Sequence, residues 1–241
     1  MITMKKAIKN QFQINKNKCL AVLLLELGGF LAGMLVLAIL MRFAVDEGEG
    51  TFPLATILAA FMGAVLLFAD FGNDYTSQFH TRISLGCTRK GFFVSALLSH
   101  LVLSTFAVVA LLALAAAEDA LNARLYPAEE AALIIFPLLS RYGIAAVLGL
   151  PAAAALFGTL VNRFGQVMRI IFLVMWMAFW IGWPRVSEAL LHPEEASWVY
   201  RSIAQSIMAV PSGVWPVVGA AVLVLAVGTA WRLMRTQQVN L

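Results

Sequence analysis

Charge is scarce in this chain. Asp, Glu, Lys and Arg make up 12% of its 241 residues, where a soluble globular domain carries about 25%. Apolar residues make up 61%, and the mean hydropathy is +0.86. A water-soluble fold has too little interior to hide that much apolar surface, so the class is a polytopic membrane protein. Cysteine is limited to Cys19 and Cys87, and a single pair at that separation forms neither a disulfide framework nor a metal motif. The three histidines, His80, His100 and His192, are scattered, which argues against a metal site. There is no GxxxxGK[ST] to cradle a nucleotide phosphate, no HExxH, and no Gly-x-Ser-x-Gly elbow. A Glu-Glu-x-x-x-Arg protease motif is missing as well: Arg141 and Arg201 follow Glu129-Glu130 and Glu194-Glu195 at the wrong spacing. These absences argue against an enzyme and against a cofactor bound by this chain. Apolar–polar alternation over about ten residues, the mark of a lipid-facing strand, is lacking too.

What the chain does have is long apolar runs. The hydrocarbon core of a bilayer is about 30 Å thick and takes about 20 residues of helix. Six stretches meet that length, at 19–41, 52–71, 91–117, 132–158, 167–185 and 212–231. The expected fold is therefore all-α, a single transmembrane domain of six spans over 1–241. The first run is longer than the 7–15-residue core of a signal peptide and lacks a small-residue cleavage site after it, so it reads as a retained helix.

Lys and Arg set the orientation. If both termini are cytoplasmic, the inner segments 1–18, 72–90, 159–169 and 232–241 hold 12 of the 17 basic residues. Most acidic residues, including Asp46, Glu47, Asp119, Glu130 and Glu195, fall outside. The expected location is the cell membrane. The pI of 9.3 then reflects basic inner segments beside anionic lipid, not nucleic-acid binding.

Taken in order, residues 4–18 place Ile8 and Phe12 at helical spacing among lysines, the pattern of an amphipathic elbow lying on the inner leaflet. Glu26 lies seven residues into the first span, about 10 Å from its inner end. A carboxylate there is costly and should face protein or water. It pairs with Arg163 or Arg169, lines a cavity, or is protonated; a structural pair is favoured. Gly29-x-x-x-Gly33 permits close helix contact. Arg141 is a second intramembrane polar residue, lying between Pro137 and Pro151 in the fourth span. The fifth span is cleanly apolar only over Ile170–Trp183, and Pro184 is expected to break it. An outer re-entrant or surface helix is expected at 194–210, with a stripe of Val199, Ile203, Ile207 and Val210 and an interfacial Trp198.

The most informative stretch is the polar island between spans two and three. Tyr75, Phe79 and Ile83 recur every four residues, which puts them on one face of a short helix at 74–86. Asp74 is the expected N-cap and Gly86 the stop. An apolar-aromatic face of that kind can press into a groove on a soluble partner, or lie on lipid. Arg82 adds a charge beside it.

The order of parts, with the stretch Gln78–Phe93 and its Leu85-Gly86-x-x-Arg89-Lys90-x-Phe92-Phe93 pattern, resembles the small permease subunits of type-2 ABC exporters, including those beside lantibiotic-immunity and drug-export ATPases. The resemblance implies half of a translocation pathway, paired with a second permease copy or paralogue. It also implies a separate ABC ATPase that carries ATP and Mg²⁺ and docks on a coupling helix through Tyr75, Phe79, Arg82 and Ile83. Trp198, Val199, Ile203 and Ile207 would belong to an outer gate, and the cargo would be an amphipathic peptide, drug or lipid. The alternative is a membrane-embedded binding or accessory protein without an ATPase. The orientation has a direct test. An impermeant thiol reagent applied to intact cells should modify a cysteine placed at Glu47, Asp119 or Glu195 and spare one at Lys9 or Thr236; the reverse pattern contradicts it.

Overall fold

The computed structural model describes residues 4–43, 53–125, 135–192, 194 and 197–237, with side chains throughout except at 4–15, 135–138, 140, 141 and 191. The described chain is helical and contains no strand. Six helices are long and apolar enough to cross a membrane.

Helix α1, Met4–Phe43, is one continuous helix of 40 residues, or about 60 Å. No break separates the basic segment 4–18 from the span that follows it, so the elbow is not a separate helix. Neither Pro nor Gly occurs before Gly28, and nothing else in that stretch stops a helix once it is nucleated. Helix α2, Leu54–Asn73, likewise does not end where the apolar run ends. It passes through a π-helical turn, Asp74–Gln78, into a short α3, Phe79–Ser84. Segment 74–86 is thus the end of the second span rather than a separate helix. Asp74, held in helical geometry, caps nothing.

Gly86 does stop the helix. At φ +86° it lets its own N–H reach the Ile83 carbonyl (2.9 Å) and the Cys87 N–H reach that of Arg82 (3.0 Å). That pair of bonds is a Schellman motif. Thr88 then starts α4, Arg89–Leu125, by accepting the Gly91 N–H at 3.1 Å. Helix α4 runs on through residues 118–125, which the apolar pattern assigns to an outer loop. Helix α5, Ile135–Phe164, tolerates Pro137 in its first turn and Pro151 inside. The inner loop expected at 159–169 shrinks to Gly165, whose φ of +65° and ψ of −137° suit glycine alone.

Helix α6, Gln166–Leu191, passes through Pro184 without a break. The correction has a physical reason: proline removes one backbone bond, whereas a break in lipid would orphan several. Helix α7, Trp198–Met208, has 11 residues, too short to cross, and α8 spans Val214–Thr236.

Helices α1, α2, α4 and α5 form the packed core. Helix α8 lies against α5 with a lesser edge on α4, and α6 touches α5 and α7. Between apolar helices in lipid there is little hydrophobic drive, so close backbone approach carries the association. A Cβ on Gly33 would sit 2.4 Å from Ala55 Cα, and one on Gly29 would sit 2.9 Å from the Leu58 carbonyl oxygen. Gly158 of α5 meets Gly72 and Tyr75 in the same way. At the far end Glu118 of α4, 1% exposed, accepts the Ala55 and Thr56 N–H groups at 3.0 and 2.8 Å. It occupies the positive end of α2 and satisfies two donors that the helix itself cannot.

The outer helices are sparsely covered. No residue of α6 before Val186 is buried. It is held by a stack in which Phe172 meets Phe68 at 5.3 Å and Phe157 at 4.3 Å.

The glycine contacts predict a specific sensitivity. Gly33→Ala should lower the stability of the detergent-solubilised protein by about 1–3 kcal/mol through forced separation of α1 and α2. Gly28→Ala, whose Cβ meets nothing within 4 Å, should be neutral or better in the same thermal unfolding assay.

Candidate functional site

The start of α4 and the ends of the α2–α3 run, α5 and α8 meet at one end of the bundle, beside Lys18 of α1. Lys18, Arg82, Arg89, Lys90, Arg163, Arg232 and Arg235 lie on these segments, so this is the basic end. Its centre is the π-helical turn. A π turn carries an extra residue per loop, and the hydroxyls of Thr76 and Ser77 bond back to the carbonyls beneath them. Thr76 Oγ1 lies 3.1 Å from Gly72 O, and Ser77 Oγ lies 3.3 Å from Asn73 O.

Beneath this turn Tyr75 and Phe79 are fully buried. They pack against Phe92, Phe93 and Ala96 of α4, Ala155 of α5, and Ala230 and Met234 of α8, with Ile83 partly covered at the edge. Phe92 meets Tyr75 at 6.2 Å and Phe79 at 5.5 Å, both edge to face. The one-face spacing of Tyr75, Phe79 and Ile83 is therefore real, but that face is turned into the chain's own core. It does not offer two aromatic anchors to another protein. Arg82 is half-buried with its guanidinium over the Phe92 ring. The outward face of the same segment consists of Ser77, Gln78, Thr81 and Ser84 and ends in Leu85, 81% exposed.

Asp74 links three helices. Its carboxylate receives Lys18 Nζ of α1 at 3.4 Å and lies 2.9 Å from His100 Nε2 of α4. Lys18 also reaches Asp70 at 2.6 Å. His100 is fully buried and stacks on Phe71 at 3.9 Å between centroids. One turn further on, Asn162 of α5 donates to the Tyr75 carbonyl at 3.1 Å, and His80 Nε2 lies 2.8 Å from Asn162 Oδ1. The turn is thus tied to α1, α4 and α5 by polar bonds and to α8 by apolar packing. Chemically the arrangement is a clamp: no group of three or more His, Cys, Asp or Glu capable of holding a metal ion occurs among the described residues.

Glu26 is fully buried, and among the described residues neither of its oxygens has a partner. The favoured pair with Arg163 or Arg169 is not formed; Arg163 instead donates to Thr236 Oγ1 at 2.9 Å. Space for the Glu26 carboxyl comes from Gly63 of α2, where a Cβ would approach Oε1 to 2.6 Å. The Arg141 side chain lies outside the described residues. Along the expected outer stripe Val199 and Ile203 are each 42% exposed, Ile207 and Val210 are half-buried, and Trp198 beside it is exposed. Ala204 is the buried residue there, and α7 packs on α6.

Sequence reasoning passed over Asp74, His100, Asn162 and Glu118 as partners. Each is a polar residue in or beside an apolar run, a signal that marks it for burial but does not name its partner. In comparisons with protein-family models, curated proteins and solved structures, the chain has no match.

The Glu26 site yields a prediction. A buried polar group without a partner costs about 1–3 kcal/mol, so Glu26→Met, which keeps the volume and removes the orphaned oxygens, should raise the unfolding midpoint. A lowered midpoint would mean that Glu26 holds a stabilising contact.

Proposed function

We propose that this chain is the transmembrane permease subunit of an ATP-driven exporter of the type-2 ABC kind. It would be paired with a second permease copy or paralogue and driven by a separate ATPase that carries ATP and Mg²⁺. The observation that carries the reading is the construction of the basic end. The second span does not stop at the lipid boundary. It continues as helix from Leu54 to Ser84, 31 residues or about 46 Å, well beyond a core of about 30 Å. Its tip is polar outside, aromatic inside, and bonded to three other helices. A push on such a tip reaches the spans as rigid-body movement, because a packed aromatic core and short polar bonds leave little to absorb it.

The docking surface in this reading is the outward face, Gln78, Thr81, Ser84 and Leu85, with Arg82 at its edge. Tyr75 and Phe79 act beneath it as the seat that transmits force. Basic residues concentrated at this end support a cytoplasmic position for it, on the side where an ATPase has access to ATP. The exposed apolar flanks of α6 and α8 suit a second permease and lipid. The amphipathic α7 at the opposite end is the candidate outer gate, and the apolar character of the spans favours an amphipathic cargo such as a peptide, drug or lipid.

Two variants separate seat from surface. Leu85→Asp should leave the permease folded and abolish co-purification of the ATPase, since removal of an interface anchor costs about 2 kcal/mol or more. Phe79→Ala should cost about 3–5 kcal/mol of stability by opening a core cavity and reduce the amount of protein in the membrane. Extraction from its own membrane with no ATPase attached to the unaltered chain would sink the proposal.

A further inference from the structure

Among the described residues, four arginines lie around the last turns of α8 without a carboxylate partner. Arg89, from the first turn of α4, donates Nη1 to the Arg235 carbonyl, and Arg163, from the end of α5, donates Nη1 to Thr236 Oγ1. Arg232 and Arg235 project from α8 itself and are exposed. Among the described residues, no acidic group lies within ion-pair distance of any of the four. Each guanidinium that has made one bond keeps further N–H donors for a second acceptor. Three separate elements thus deliver cations.

Directly along α8 from Arg232 the surface is apolar and open. Leu225 and Val218, 67% and 42% exposed, follow at seven-residue intervals on the same face. Gly228 lies between Arg232 and Leu225, and a Cβ built there would meet nothing within 4 Å. A cationic rim above an apolar strip is the shape of one phospholipid: phosphate against guanidinium, acyl chain along the helix.

We propose that the end of α8, with Arg89 and Arg163, binds one anionic phospholipid, such as phosphatidylglycerol. The phosphodiester lies between Arg163, Arg232 and Arg89, and an acyl chain follows Gly228, Leu225 and Val218. This goes beyond the transport reading and does not depend on it. Lipid seated there would add to the contacts that hold the end of α8 against α4 and α5.

The test uses the full chain purified in a neutral detergent and delipidated. Phosphatidylglycerol, phosphatidylcholine or inorganic phosphate is added, and the bound lipid is counted by native mass spectrometry alongside the unfolding midpoint. Phosphatidylglycerol should remain bound and raise the midpoint while phosphatidylcholine does neither. Arg163→Gln and Arg232→Gln should each weaken retention about fivefold, the weight of one basic residue at an anionic surface, and Arg124→Gln at the opposite end should not. Equal retention of the two lipids, or of phosphatidylglycerol by the Arg163→Gln/Arg232→Gln double variant, overturns the proposal. A midpoint shift as large with inorganic phosphate as with phosphatidylglycerol means that the arginines read a free anion, and also overturns it.

Discussion

The structure depends on how Asp74 is held. It begins the π-helical turn, and its carboxylate joins Lys18 of α1 and His100 of α4. A carboxylate at 6% exposure is stable only with such partners, because loss of its hydration is not otherwise offset. With Asp74 fixed, Tyr75 is directed into the space between α4 and α5, Gly158 is required opposite it, and Phe79 falls one turn on against Phe92. The polar clamp and the aromatic core beneath it are two consequences of one turn.

The same constraint accounts for the outer surface. Because the aromatic residues face inward, the tip of the second span presents hydroxyls, an amide and Leu85. The four core helices are welded by glycine contacts and by Glu118 across the start of α2, which leaves α6 and α8 at the edge. An apolar helix exposed on every side is normal in lipid and untenable in water, so the bareness of α6 agrees with the composition. The bundle divides into a rigid quartet and a periphery, and in the proposed transporter the rigid part would carry movement from the basic end.

Much of the fold was legible in the residues. Six apolar runs gave the six long helices, Gly86 ends α3, and Gly29 and Gly33 mark the closest helix contact. The ends of the helices were less so. Hydropathy reports where lipid would be comfortable, whereas a helix continues until a turn such as those at Gly86 and Gly165 stops it. Hence α2 and α3 run on to Ser84, α4 to Leu125 and α5 to Phe164. Pro184 misled because its cost is set against water in the usual reasoning, while in lipid an open backbone is dearer. The site was half legible. Periodicity put Tyr75, Phe79 and Ile83 on one face but could not say whether that face met another protein or the chain itself. The Asp74–His100 contact joins residues 26 apart in sequence, and no local pattern encodes it. Glu26 was readable as buried; its lack of a partner was not.

The central claim is that the tip of the second span is a rigid extension of the bundle rather than a surface helix resting on it. Amide hydrogen exchange across residues 75–84 tests that most directly. If the claim holds, these amides exchange as slowly as those of residues 60–70 within the span, because both open only when the core opens. Exchange at the rate of an isolated short helix, with residues 60–70 still protected, would contradict it.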